Sequence, residues 1–468
     1  MPGNPIVRSA GTAGPRSRHA AGRAVAVTRL PSRMGGARPA AFLQLIDAAI
    51  VGLVLLAVVS IFTLSAAMLT HWKIHYLSTG GNFYEKLHPA TYFTVLALLL
   101  MLIRNGDPIG DIGRMFSGAG FLLLYLFCWL CLLAQMVATE RPFTVIIDTF
   151  LLPLLLYLAI CRLSPVQRKP LVWALHLTIL INIVIGYYEY FSGHRLIPLT
   201  VGNVVVVGEW RASALLGHPL TASGVVAGYV LALIFRPAIC PPVILRLPLI
   251  AFSLGSLMAF GGRTALVTVL FIIGCAAAFQ VFRILRGGRI SLLVVVAAIC
   301  LLFVGAAGIF VAFDLGIFDK MLLRFSSDKG SASARYATFN LLFHFDWHEL
   351  VFGPDPVRAA ALQNASGLKF GIEDFWISSI VQFGVVSTIL LTIGLAGLFT
   401  EVLKRAAGAA WLILLLIVII AASSVSFSSK NIQLAQFVAL ITLLLPRERI
   451  VAPMLRAQGL SRPTPIYA

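Results

Sequence analysis

Apolar stretches of about 20 residues recur along this chain from Ile46 to Leu445, and few folds can accommodate such a pattern. That is the length an α-helix needs to cross the hydrocarbon of a bilayer. Inside lipid each backbone N–H and C=O must be paired within the protein, so a series of such stretches specifies a bundle of helices. Composition agrees. Of the 468 residues 59% are hydrophobic and 12% charged, where a soluble domain is about a quarter charged. We expect an all-α, polytopic transmembrane bundle of about twelve helices with one large extracytoplasmic loop. The spans are expected near 46–69, 90–103, 118–138, 143–161, 171–191, 214–235, 243–260, 264–282, 291–313, 374–398, 411–427 and 431–445.

A net charge of +18 suggests nucleic acid at first sight, but the placement of the cations argues against it. They cluster between apolar spans, as positive-inside topology requires. Arg104 and Arg114, then Arg162, Arg168 and Lys169, then Arg236 and Arg246, then Arg283, Arg286 and Arg289 share one side when the spans alternate. Lys404, Arg405, Arg447 and Arg449 join them. The opposite turns carry little charge: TERP at 139–142, the stretch 192–213, GGR at 261–263 and SSK at 428–430.

The expected organisation is a basic, disordered cytoplasmic tail over 1–45, nine spans over 46–313 and an extracytoplasmic loop over 314–373. Three spans over 374–446 and a cytoplasmic tail over 447–468 complete it. Residues 1–40 hold seven arginines and no acid, so they can build no core and are attracted to anionic lipid. Within the loop, Arg335 to Val351 mixes aromatic, apolar and polar residues in the manner of an interfacial helix. The six cysteines fall in or at the ends of spans and read as small packing residues without a disulfide role.

No G-x-x-x-x-G-K-[ST] motif is present, so no P-loop is encoded. No D-x-D pair is present to clamp a nucleotide sugar through a metal. His344 and His348 are spaced i, i+4 and would share one face of a helix as zinc ligands can, but neighbouring Asp346 and Glu349 would point elsewhere. No metal and no cofactor is expected.

Cations at the outer helix ends are the stronger signal. Arg211 stands in EWRASALLGHPLTASG with His218 two turns on, Arg263 stands in GGRTALV, and Arg324 and Arg335 lie in the large loop. Arginines near helix ends commonly snorkel to headgroups. Several on the side where positive charge is disfavoured suggest phosphate recognition, for which the guanidinium fork is shaped. Glu373 and Asp374, in GIEDFWISSIVQFG, stand at the outer mouth of the tenth span. Acids there can simply cap the helix. A carboxylate held near the membrane can also serve as a general base, since partial burial raises its pKa.

The chain resembles the O-antigen ligase/polymerase family, within its VpsF-like polysaccharide-biosynthesis branch. The motifs that carry the resemblance are LHPATY at 87–92, DTFLLP at 148–153, WRASALLGHPLTASG at 210–224, GGRTAL at 261–266, SARYATFNLLF, FGPDP at 352–356 and GIEDFW. The resemblance implies an undecaprenyl-diphosphate-linked glycan donor used at the outer face of the bacterial inner membrane. It implies that Arg211, Arg263 and Arg335 cradle the diphosphate. Ligases of the family show His-Asn, nine residues, then Gly; here the same spacing reads Glu373-Asp374, nine residues, Gly384. Glutamate thus replaces the family's proposed catalytic histidine.

The expected activity is metal-independent, inverting glycosyl transfer of the polymerase kind. Glu373 is the base, and Arg211, Arg263, Arg335, Arg324, His218 and Asp374 are the binding residues. Expected partners are a lipid-linked oligosaccharide, membrane lipid and other polysaccharide assembly proteins. The alternatives are ligase-type transfer, a flippase or transporter of lipid-linked glycan, and a non-catalytic scaffold. The halves show no convincing duplication and ionisable residues deep in the spans are scarce, and both count against transport.

Overall fold

A computed structural model of the protein describes residues 40–447, apart from 78–79, 202–203, 207–209, 236–240, 369–370, 424–428 and most of 288–330. The expected basic tail up to residue 39, the ninth span at 291–313 apart from Phe310 and Phe313, Arg324 and the tail beyond Arg447 lie outside the described residues.

The chain is helical, and its helix ends follow its punctuation. Helix α1 (Ala40–Thr63) gives way to α2 (Ala66–His71), whose first turn is capped by Ser65 accepting the Met68 N–H at 3.3 Å. Helix α3 (Pro89–Asn105) starts on a proline behind His88 and stops at Gly106, which takes φ 71°. Asp107 then caps α4 (Pro108–Phe116), which turns away from α3 by 117°. Helix α5 (Gly120–Ala138) is followed by α6 (Thr144–Arg162), which contains a π turn at Ile147–Leu151. Helix α7 (Pro165–Ser192) opens on a capping box formed by Ser164 and Gln167.

After a small hairpin pairing Thr200–Val201 with Val204–Val205 come α8 (Pro219–Ile234), α9 (Val243–Phe260) and α10 (Arg263–Leu285). Three short helices follow: α11 (Ser331–Leu342), α12 (Trp347–Phe352) and α13 (Pro356–Ala365). The chain returns to the bundle as α14 (Phe375–Phe383), α15 (Val385–Arg405), α16 (Ala410–Ala421) and α17 (Gln433–Leu444).

Among the described residues six helices are long and apolar enough to cross a membrane, or seven if the bent pair α3–α4 counts as one. Four shorter apolar helices accompany them, among them α16 and α17 of 12 residues each. The described residues thus show a helical membrane-type bundle with six or seven full-length spans, and the expected ninth span is not among them. Every residue of α17 is buried. A helix apolar all round belongs in the centre of its bundle, and α17 packs there against α6 and α8. Helix α1 lies against α3 and α7, and α5 against α15. Of the cysteines, Cys128, Cys131, Cys161 and Cys275 are free thiols; Cys240 and Cys300 lie outside the described residues.

Two expected helices are broken. The tenth span, expected unbroken over 374–398, divides at Gly384, whose φ of 84° with ψ of 165° is open to glycine alone. The interfacial helix expected over 335–351 divides between Leu342 and Trp347, where Asp346 and Glu349 form a new capping box. His344 and His348 therefore do not share a helix, and among the described residues no cluster of three metal-ligating side chains exists.

Among the described residues, basic residues from several of the loops between spans lie at one end of the bundle. Arg104 pairs with Asp47, and Arg114 and Arg162 each reach Asp111 at 2.9 Å. The Arg447 N–H donates to the Arg405 carbonyl at 3.0 Å. The starts of α3, α6, α8 and α17 meet at the opposite end, where the polar groups of the candidate site gather.

Candidate functional site

The segment carrying Arg211 is held by α7. Glu189, a buried carboxylate two residues before the expected end of the fifth span, accepts backbone N–H groups from Leu196 (3.1 Å), Ser213 (2.8 Å) and Ala214 (2.9 Å). Asn182 accepts the Leu215 N–H at 3.1 Å and donates to Phe62 O at 2.9 Å. Arg195 donates to the Arg211 carbonyl. Ala214 takes a left-handed φ of 48°, which costs a residue with a side chain about 1–3 kcal/mol and persists because these donors determine the turn.

Arg211 is thereby laid over the corner between α9 and α10. A Cβ on Gly261 would stand 2.6 Å from Arg211 Cγ, so only glycine admits the arginine there. The Ala212 N–H donates to Ala259 O at 3.0 Å, and a Cβ on Gly262 would overlap Ser223 in the first turn of α8. Arg263 is the next residue and the first of α10. Arg211 and Arg263 therefore share one corner.

A second cluster is centred on Asp148, which is fully buried. Its carboxylate accepts from Tyr76 Oη (3.0 Å), Thr91 Oγ1 (2.7 Å) and the His88 N–H (3.1 Å), and Lys430 Nζ lies 3.7 Å away. LHPATY, DTFLLP and SSK, 60 and 282 residues apart by the bonds His88–Asp148 and Asn431–Thr149, thus meet at one point. The π turn places Asp148 there, as single π turns often do at functional positions.

His88 is matched as a neutral ring. Its Nδ1 accepts the Ala90 N–H at 3.1 Å and its Nε2 donates to Leu64 O at 2.6 Å. Burial lowers its pKa from the usual value. Burial likewise pushes the Lys430 ammonium down to about 8, against the pull of Asp148. Lys430 donates to the carbonyls of Tyr76 (3.2 Å) and Lys86, and sits 3.9 Å over the Tyr76 ring.

His218 links the two groups. It caps α8, its Nδ1 accepting the Leu220 N–H at 3.3 Å, and with Gly217 and Leu216 it lines a cavity of about 170 Å³ whose opposite wall includes Lys430, Gln433 and Gln436. Asp374 caps α14 by accepting the Ile377 N–H at 2.8 Å. Glu373 beside it is half-buried and makes no hydrogen bond or ion pair among the described residues.

An apolar crevice of about 310 Å³ begins at Phe375 and Trp376 and continues past Phe399 to Leu403. The outer helices are clamped to the bundle beside it. Arg141 donates to Pro354 O (2.5 Å) and Gln382 O, and Gln135 donates to Phe352 O and Phe383 O at 2.8 Å each.

Of the residues expected from sequence, Arg211 and Arg263 come together and His218 borders the polar cavity near them. Arg335 lies on α11, with its side chain outside the description, and Arg324 lies outside the described residues. Among the described residues Glu373 makes no hydrogen bond or ion pair to Arg211 or Arg263. Asp148, Glu189, Asn182, Lys430 and Arg141 were not expected. An ionisable residue within an apolar span was the available signal for Asp148 and Glu189. No protein-family model matches the chain, and no curated protein matches it.

Proposed function

We propose that this chain is a membrane glycosyltransferase of the polysaccharide-polymerase kind, extending a glycan from a lipid-diphosphate-linked donor. The observation that carries the reading is the packing of Arg211 over Gly261, two residues before Arg263. Two guanidinium groups at one corner suit a diphosphate better than any single headgroup contact. The apolar crevice that starts at Phe375 offers a path for a lipid tail. Glu373, which makes no hydrogen bond or ion pair among the described residues, stands two residues before Phe375 in the chain.

In the proposed reaction the acceptor hydroxyl oxygen attacks the anomeric carbon of the donor sugar. Glu373 takes the hydroxyl proton as that bond forms. The bond from the anomeric carbon to the diphosphate oxygen breaks, and the electron pair leaves with the lipid diphosphate. Arg211 and Arg263 stabilise the charge gathering on the leaving group more than they stabilise the ground state. No metal enters this scheme.

The test is a deletion strain complemented with wild type, Glu373→Gln or Arg211→Ala at matched membrane expression, with polymer length and lipid-linked intermediates resolved together. Loss of long polymer with single lipid-linked repeats accumulating outside supports the polymerase reading. Accumulation of long lipid-linked polymer makes the protein a ligase. Repeats retained on the cytoplasmic face make it a flippase. Unchanged polymer from both variants removes the site.

A further inference from the structure

The cavity between the starts of α8 and α17 contains polar groups that the proposed transfer chemistry does not use. Gln433 is wholly buried, yet neither Nε2 nor Oε1 of its amide has a hydrogen-bond partner. Gln436, one turn on and 2% exposed, donates to Ile61 O but leaves its own Oε1 without a partner. Both side chains line the cavity. A buried amide without a partner costs about 1–3 kcal/mol, so such groups are normally satisfied by something that enters. Two on successive turns of the most buried helix point to an occupant.

The chemistry of the lining selects its class. Gln433 offers two protons and an acceptor, Gln436 an acceptor, and the Ser65 and Thr221 hydroxyls can do either. His218 forms part of the wall, its Nδ1 accepting the Leu220 N–H. This mixture matches hydroxyl groups, each of which donates and accepts.

An anion fits worse. Two amide oxygens line the space, and the one lysine among the lining residues already gives its protons to the carbonyls of Tyr76 and Lys86 beside the Asp148 carboxylate. A hard cation fits worse again, because no carboxylate is among the lining residues. Leu216 and Ile432 supply apolar wall for the C–H face of a ring. A volume of about 170 Å³ admits several waters or one sugar ring. His218 stands seven residues after Arg211 in the same held segment.

We infer that this cavity is a binding site for one uncharged sugar residue, held by Gln433 and Gln436. Its assignment to a residue of the growing glycan rests on the polymerase reading; the binding itself does not.

The experiment uses the full chain in lipid nanodiscs, titrated with glucose, galactose, mannose, rhamnose and N-acetylglucosamine, and separately with inorganic phosphate. Hydrogen exchange over residues 429–437 and thermal unfolding are read together. At least one sugar is expected to slow exchange there saturably, with phosphate inert. Gln433→Leu is expected to weaken that affinity at least about tenfold, or about 1.4 kcal/mol. It should also unfold at a higher temperature than wild type without sugar, because the unpaired amide is gone. Gln433→Glu, nearly isosteric, serves if the leucine variant does not fold and should weaken binding similarly.

Protection by phosphate alone, protection by no sugar, or equal protection in wild type and the Gln433 variants overturns the inference. Sugar protection lost on Gln433 substitution, in a protein whose Arg211 and Glu373 variants still make normal polymer, leaves this site standing while the polymerase reading falls. Polymer lost in those two variants without any sugar protection removes this inference alone.

Discussion

Lys430 Nζ lies 3.7 Å from the carboxylate of Asp148, and both side chains are buried at the end of the bundle opposite the basic loops. The pair ties the turn before the central helix α17 to the π turn of α6. Three neutral donors complete the carboxylate, so the arrangement is satisfied at both ends.

Removing one partner of such a pair leaves the other charge buried and alone. Asp148→Ala should destabilise the protein by about 3–5 kcal/mol, measured by thermal or denaturant unfolding in detergent. The double variant Asp148→Asn with Lys430→Met should recover much of that loss, because no buried charge remains. A double variant as unstable as Asp148→Ala would mean that the hydrogen bonds of Asp148, and not its charge, hold the cluster.

Stability should depend on pH through Lys430 and His88. Lys430 has its folded pKa lowered from 10.5 to about 8. Between those values the unfolded chain binds more protons, so stability rises with pH from about 8 to 10.5. His88 is lowered from 6.5, so by the same sign stability falls as pH drops below 6.5 through the folded value. Unfolding temperature against pH for wild type, Lys430→Met and His88→Gln checks both; each variant should flatten its own limb.

Gly384 faces Gly353 where the outer helices meet the bundle. A Cβ on Gly384 would stand 2.5 Å from the Gly353 N, and its φ of 84° is already a glycine conformation. Gly384→Ala should cost on the order of 3 kcal/mol and undock α12 and α13. Arg141→Ala should undock them with less loss of global stability. The reading is faster hydrogen exchange over residues 347–365, with α1, α7 and α17 unchanged.

Arg211 and Glu189 should separate chemistry from positioning. Arg211→Lys keeps the charge but loses the fork, and polymer formation should fall on the order of 10²-fold with no change in unfolding temperature. Glu189→Ala leaves three backbone N–H groups without their acceptor and should lower stability by on the order of 3 kcal/mol. Faster exchange over residues 211–216 should accompany it.

The order of apolar stretches and the alternation of basic loops were legible in the chain alone, because both report on solvent. Lipid selects helices of about 20 apolar residues, and membrane orientation selects where Arg104, Arg162 and Arg405 stand. In the structure these three cations lie toward one end of the bundle. What lay beyond the sequence depends on how helices meet. Hydropathy averages over a span and is blind to Gly384, where one residue's backbone splits a helix because Gly353 occupies the space beside it.

The site divides the same way. Arg211 and Arg263 announced themselves as cations in turns, and their shared corner follows from their motifs flanking adjacent helices. Glu189 and Asp148 were not singled out, since nothing local tells a carboxylate within a span which distant N–H groups it will accept. Gln433 and Gln436 read as ordinary polar residues in a short apolar helix. Only tertiary packing, which buries every residue of α17, turns them into unsatisfied amides facing a cavity. Sequence determines which segments leave water; apolar helix surfaces say little about register and partner, so contact geometry decides where the polar groups are left to act.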